Sequence, residues 1–382
     1  MRVKERYASH AVAIVLAAML GIAGPVSATP TPVPQASAET VAALTTDATR
    51  DVQFLLRQPD FLARVHEALM SSERDAVPLD QVMQRFDPAA RTRTTARLRQ
   101  AGRDLRVLKG LPEEGRDLLQ LRAMLPEGVA MKDVVAEQFR IAATPLGEDR
   151  RNPDVRTYAA DGSVLDIPVD SRPDFPLLLL EVDTRAALRE GMVVINEGLR
   201  AHGLQTVSQA RARETLDVSR LDHIRLAVDQ EPNLKGAAEI FAIVSGLQLD
   251  EKKPEMRTFE MPWLDHDKTD YYPGQDWIHW GNYRYDAANV QLFEEDGNTN
   301  YKTMLAALIA VVGSTIGPIE PTVGMVSLIA DAVLQAMPDA WFIDEHDYVD
   351  SYYLLRRGVT YRAHPGAGGN AVVDLTPITL GN

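Results

Sequence analysis

Hydrophobic positions change their spacing twice along this chain. From Ala38 to about Met124 the apolar residues recur at helical intervals: Val41, Leu44, Val52, Leu55 and Leu56 fall on one stripe, then Phe61, Leu62, Val65, Leu69 and Met70 on another after the start signal Pro59-Asp60. Segments over Leu79 to Phe86, Ala90 to Leu108 and Asp117 to Met124 continue the habit, so residues 38–128 predict a region of short helices. Around Val129 the texture turns toward strands. Val155 to Tyr158 and Val164 to Val169 flank Asp161-Gly162, which supplies the positive φ that a tight hairpin needs. Leu177 to Leu180 reads as a buried strand, and Met192 to Ile195 as another, giving a mixed α/β region over 129–230.

Beyond the turn-like stretch Gln230 to Gly236, strand signals dominate: Ala238 to Val244, Trp277 to Trp280, Asn289 to Phe293, Tyr352 to Leu355, Val359 to Arg362 and Ala371 to Leu375. Between them lie two apolar helical runs, Tyr301 to Gly317 and Val323 to Met337, divided by Gly317-Pro318-Ile319-Glu320-Pro321. The fold class is therefore α+β. A helical N-terminal region precedes a β-sandwich-like domain over 231–382, with an apolar helical hairpin inserted at 301–337. Each apolar stretch of the hairpin is shorter than the roughly 20 residues of a bilayer span, and Asp331 interrupts the second, so the expected place of the pair is between sheet and bundle.

The chain start adds an address. Arg2, Lys4 and Arg6 precede the apolar run Ala11 to Ala23, and small residues lead to Ala28, the pattern of a secretory signal peptide at 1–28 with cleavage after Ala28. Residues 29–37 (TPTPVPQAS) read as a Pro-rich leader. The expected product is secreted and extracellular, with no stable membrane span after cleavage. It contains no cysteine, so any export proceeds without disulfides. The net charge is -14, and from Glu231 onward 22 Asp plus Glu stand against 10 Lys plus Arg. Such a surface repels phosphate backbones, which argues against nucleic acid, and it attracts divalent cations.

The acidic residues are grouped in three turn-rich segments: Asp265, Asp267, Asp270 and Asp276; Glu294, Glu295, Asp296, Asn298 and Asn300; Asp344, Glu345, Asp347 and Asp350. If a compact fold brought them to one end, Asp265, Asp267, Asp270, Glu295, Asp296, Asp344 and Asp347 would offer oxygen ligands to a hard cation, Ca²⁺. Neither local match is an EF-hand, because Asp270 and Tyr301 stand where that loop needs glycine. The competing expectation is that these residues merely close surface turns. A second class of reading is a metal-dependent hydrolase in which His266 or His346 joins the cluster.

Other chemistry lacks its motifs. No Gly-x-Ser-x-Gly elbow, His-Glu-x-x-His helix or phosphate-binding loop occurs, and Gly366-Ala367-Gly368-Gly369 reads as a turn between strands. The arginines at 91, 93, 97, 99, 103 and 106 read as a solvated helix side paired with nearby acids. Tyr271, Tyr272, Trp277, Trp280, Tyr283 and Tyr285 crowd one stretch, as aromatic residues do on sugar-binding faces; Trp277 and Trp280 would point to opposite faces of a strand, and core packing is the expected use. The leading expectation is a non-catalytic protein, bound to or stabilised by Ca²⁺, that meets a polysaccharide or a surface protein.

Five stretches, Ala238 to Gly246 (AEIFAIVSG), Tyr272-Pro273 through Trp280, Phe293 to Asp296, Asp347 to Tyr352 and Gly369-Asn370-Ala371, together resemble a family of exported bacterial proteins of uncharacterised function. The resemblance implies export and no activity.

Overall fold

The computed structural model describes residues 38–72, 74–84, 93–145, 154–206, 215–228, 234, 238–295, 297–315, 323–337 and 348–381. The signal peptide and the leader read at 1–37 lie outside them. Helix α1 (Ala38–Leu56) buries Val41, Val52, Leu55 and Leu56. Helix α2 (Pro59–Met70) opens on the proline, whose fixed φ suits a first turn, and buries Phe61, Leu62, Val65 and Leu69 while Met70 faces out. Short α3 (Leu79–Gln84) and α4 (Arg93–Leu108) follow.

The expected helix over Asp117 to Met124 is instead strand β2 (Leu119–Met124), after a three-residue β1 (Ala76–Pro78). Leu119, Leu121 and Ala123 are buried and Gln120, Arg122 and Met124 half-buried. That is a period of two, which a helix cannot turn to one side. β2 joins β3 (Arg140–Ala143), β4 (Asp154–Ala159), β5 (Val164–Pro168) and β6 (Leu177–Val182) in a six-stranded sheet of order β1-β2-β6-β3-β4-β5, antiparallel except at β3-β6. The β4-β5 hairpin turns at Gly162, whose φ is +92°. All six residues of β6 are buried, as expected for a central strand.

Met192 to Ile195, expected as a strand, lies inside helix α5 (Thr184–Ala201). The Asp183 carboxylate caps that helix by accepting from Ala186 N at 2.9 Å, and Ala187, Leu188, Met192, Ile195 and Leu199 repeat the three-and-four spacing of its buried face. The four-residue apolar run in isolation could not reveal this.

Two four-stranded sheets complete the fold. One has the order β10 (Gln275–His279), β7 (Thr215–Leu226), β14 (Ala371–Gly381), β13 (Tyr361–Pro365). The other runs β12 (Tyr348–Arg356), β11 (Ala287–Glu294), β8 (Ile240–Leu247), β9 (Pro254–Glu260). Ile224, Leu226, Val373 and Leu375 from the first share an apolar cluster with Ala242, Val244, Val290 and Leu292 from the second. On the opposite side of β8 and β11, Phe241, Ile243 and Phe293 enter a larger cluster with α5, the hairpin helices α6 (Tyr301–Thr315) and α7 (Gly324–Ala336), and the N-terminal helices. That cluster holds residues from both sides of positions 128/129 and 230/231. No described helix is long and apolar enough to cross a membrane.

Strand β9 ends its sheet, and α5 covers it. Asn196 of α5 donates its amide to Thr258 O (2.9 Å) and accepts from Thr258 N (3.1 Å), so a side chain makes the pair of bonds that a neighbouring strand would make. Among the described residues the protein thus has seven α-helices and three mostly antiparallel sheets, an α+β fold.

Candidate functional site

Asp296, Asp344 and Asp347 lie outside the described residues, as does His346. Asp265, Asp267, Asp270 and Glu295 are described, and each meets a partner of its own. Glu295 follows β11 and has no solvent exposure. Its Oε1 accepts from Lys109 Nζ at 2.7 Å and from Gly297 N at 3.2 Å. Lys109, equally buried at the end of α4, sits 3.5 Å from Thr299 O and 5.6 Å from the centre of the Tyr301 ring. Around this pair Tyr301 N donates to Lys109 O, and the Asn300 amide donates to Leu108 O at 2.7 Å while its oxygen accepts from Thr303 N, opening α6. The second acidic segment therefore locks the end of α4 to the start of α6. The cation that its carboxylate meets is an ammonium 186 residues away in the chain.

Asp265, Asp267 and Asp270 of the first acidic segment lie in the loop between β9 and β10, and Asp276 lies on β10 itself. That loop runs beside β7: Lys268 N donates to Leu226 O at 2.8 Å, and Ile224 and Tyr271 exchange both backbone bonds at 3.0 Å. Within it Asp265 accepts from Tyr271 Oη at 2.9 Å and lies 3.9 Å from Arg185, and Asp267 pairs with Lys268 at 2.6 Å. His266 is exposed.

Asp270 reaches onto the sheet. Along β7, His223 and Arg225 alternate with buried Ile224 and Leu226, so they stand on the outer face. His223 Nε2 is 2.8 Å from Asp270 Oδ1, and Arg225 Nη1 donates to Oδ2 at 3.3 Å. The bond from His223, then the charge of Arg225, hold the Asp270 carboxyl below its ordinary value, so it is ionised at neutral pH. Beside them Tyr272 is 76 % exposed, its ring centre 5.0 Å from that of His223. An open aromatic face, an ionised carboxylate and a half-exposed guanidinium thus stand together on one outer sheet surface. Such a group can stack against a flat apolar ring while exchanging hydrogen bonds at its edge. Among the described residues no group of three or more His, Cys, Asp or Glu side chains is placed to hold a metal ion.

The other aromatic residues of this stretch divide as follows. Trp277, Trp280 and Tyr283 are buried and Tyr285 is half open. The two tryptophans do not take opposite faces: a bulge between Asp276 and Ile278 and a 3₁₀ turn from Trp280 re-aim the chain, and both rings enter the core, with Trp280 Nε1 donating to Ser219 Oγ at 3.0 Å. On α4, Arg97 pairs with Asp51, as expected of a solvated helix side. Arg106 is buried instead, bound to Glu190 at 2.6 Å and to the carbonyls of Pro112 and Arg116. Arg91 lies outside the described residues.

The third acidic segment ends at Asp350, fully buried in β12. Its Oδ1 accepts from Ser351 N (2.8 Å) and Gly368 N (2.7 Å), its Oδ2 from Asn370 N (2.9 Å) and Ala371 N (2.7 Å). Burial raises this carboxyl's pKa, and the four amides oppose the shift. The glycine-rich turn between β13 and β14 wraps it so closely that a Cβ on Gly366 would fall 2.2 Å from the carboxyl carbon. Asn370 then exchanges two bonds with the backbone of Val228 (2.9 and 3.0 Å) and so holds the end of β7, three residues from Arg225.

Sequence reasoning named Tyr272 and Asp270 but not His223 or Arg225. Their signal is the alternation His223-Ile224-Arg225-Leu226, legible only once β7 is known to be a strand. The family model described as a protein of unknown function, DUF3103, matches residues 50–382, and no curated protein and no solved structure matches the chain.

Proposed function

Because the chain belongs to that family, of unknown function, its surface must supply the reading, and we propose an exported, non-catalytic binding protein. In this reading residues 1–28 direct export, the two four-stranded sheets act as a sandwich, and the outer face of β10-β7-β14-β13 meets an extracellular partner. One observation carries it: Tyr272, with three quarters of its surface open, is held against His223 beside Asp270 and Arg225. An exposed ring on a loop pinned to β7 through the Tyr271–Ile224 bonds loses less conformational freedom on binding than one on a free loop. The sharing of Asp270 between His223 and Arg225 fixes the polar edge in advance.

The test is retention of fluorescently labelled protein by the extracellular matrix of the culture that produces it. Wild type should be retained, and Tyr272→Ala and Arg225→Ala should each be retained at least about tenfold less, roughly the effect of losing one well-formed aromatic or charged contact. Equal retention of all three proteins would remove this face from the account.

A further inference from the structure

We infer that the partner of this face is a neutral polysaccharide, recognised by stacking of a pyranose ring on Tyr272 with its hydroxyl groups bridged to Asp270 and Arg225. The inference rests on the reading of the outer sheet face above and adds the chemical class of its ligand.

The ring comes first. A pyranose presents an apolar face of C–H groups and an edge of hydroxyls, each both donor and acceptor. Tyr272 offers an exposed π-face supported from one side by the imidazole of His223, 5.0 Å away between centres. At its edge Asp270 supplies acceptor oxygens and Arg225, 48 % exposed, supplies donors. A pair of adjacent hydroxyls can satisfy both groups at once, with the hydroxyl hydrogen to the carboxylate and the hydroxyl oxygen to the guanidinium.

Charge then separates neutral from acidic polymers. Asp270 and Arg225 cancel one another within the site. The rest of the face repeats that balance: Arg220 pairs with Asp222 at 2.7 Å, and Arg362 lies 3.7 Å from both Asp222 and Asp374. A polyanionic chain would have to break these pairs to find uncompensated arginines, and it would approach a protein of net charge -14. A neutral chain meets no such barrier. Because the ring lies open on a sheet surface, an internal stretch of a polymer can lie across it and gain from neighbouring residues of the face, so a hexamer should bind better than its monomer.

The test is titration of the full mature chain with soluble hexamers of β-1,4-linked glucose, xylose and N-acetylglucosamine and with hexuronate oligomers, followed by calorimetry and by the chemical shifts of tyrosine ring protons. At least one neutral hexamer should saturate the wild type. Tyr272→Ala should weaken it at least about tenfold, Asp270→Asn about threefold to tenfold, and Phe54→Ala, which removes an exposed ring on α1, should leave it unchanged. Hexuronates binding as tightly as neutral hexamers would overturn the neutral class while leaving the face in place. Neutral binding that Tyr272→Ala leaves untouched would overturn the location. No binding by any oligosaccharide would overturn the saccharide inference, and the matrix-retention assay would then judge the face alone.

Discussion

The acidic loops at 265–270 and 294–300 are alike in composition and opposite in fate. The first keeps its carboxylates at the surface, where Asp270 meets groups on the adjoining strand, His223 and Arg225. The second is drawn inside, where Glu295 meets Lys109 with no exposure on either partner. What differs is the cation that the fold delivers. A buried carboxylate needs a partner that shares its burial, and Lys109 arrives from the far end of α4. A surface carboxylate can share partners with solvent and remain available to a ligand. Acidity in a sequence therefore does not by itself distinguish an interior lock from an exterior contact surface.

The sharpest way to break the comparison is to remove one partner of the buried pair. Lys109→Ala or Glu295→Ala should each cost about 3–5 kcal/mol in urea unfolding, because the remaining charge stays buried, while Lys109→Met with Glu295→Leu should recover most of that loss. A double change that costs the sum of the two single changes would show that the pair is not a unit. Asp350→Ala, which strands the amides of Ser351, Gly368, Asn370 and Ala371, should cost about 3 kcal/mol by the same measurement.

A buried carboxylate with no ammonium beside it sharpens the contrast. Glu255 has no exposure and accepts from Thr206 N at 2.9 Å and from Thr206 Oγ1 at 3.0 Å. Burial pushes its carboxyl up to about 7, from an ordinary value of 4.5. Since the folded value lies above the unfolded one, its favourable contribution is full below pH 4.5 and is lost as pH rises through about 7. Over that window it should cost about 2–3 kcal/mol of stability, and Glu255→Gln should flatten the profile in the same range. Identical pH profiles for the two proteins would refute the assignment.

At the surface the effects on stability should nearly vanish. Tyr272→Ala and Asp270→Asn should change unfolding by less than about 0.5 kcal/mol, in contrast to their effect on ligand. The smallest effect concerns Ca²⁺. Asp265, Asp270 and Glu295 already face a hydroxyl or cationic group, so millimolar Ca²⁺ against chelator should move the melting temperature by less than about 1 °C. A larger rise would show that the folded protein binds Ca²⁺.

The helices α1, α2, α6 and α7 were legible in the sequence because their apolar spacing is long and regular, β6 and β8 because they carry continuous apolar runs, and β11 because Val290 and Leu292 alternate with Asn289 and Gln291. β2 was misread where a six-residue alternation adjoined helical segments, and the α5 interior because four apolar residues carry no period of their own. β9 escaped because Glu255, Arg257 and Glu260 look like surface while α5 and the 202–206 turn bury its edge. Half of the candidate site was visible as composition, in Tyr272 and Asp270. The rest depends on strand register, and the Lys109–Glu295 lock on a contact between distant parts of the chain.

The amide of Asn196 carries a last consequence. By imitating a strand against Thr258 it occupies hydrogen-bonding groups that a second molecule could otherwise use to zip alongside β9, so at that margin one side chain, together with Leu204 O on Met256 N, closes the sheet to growth.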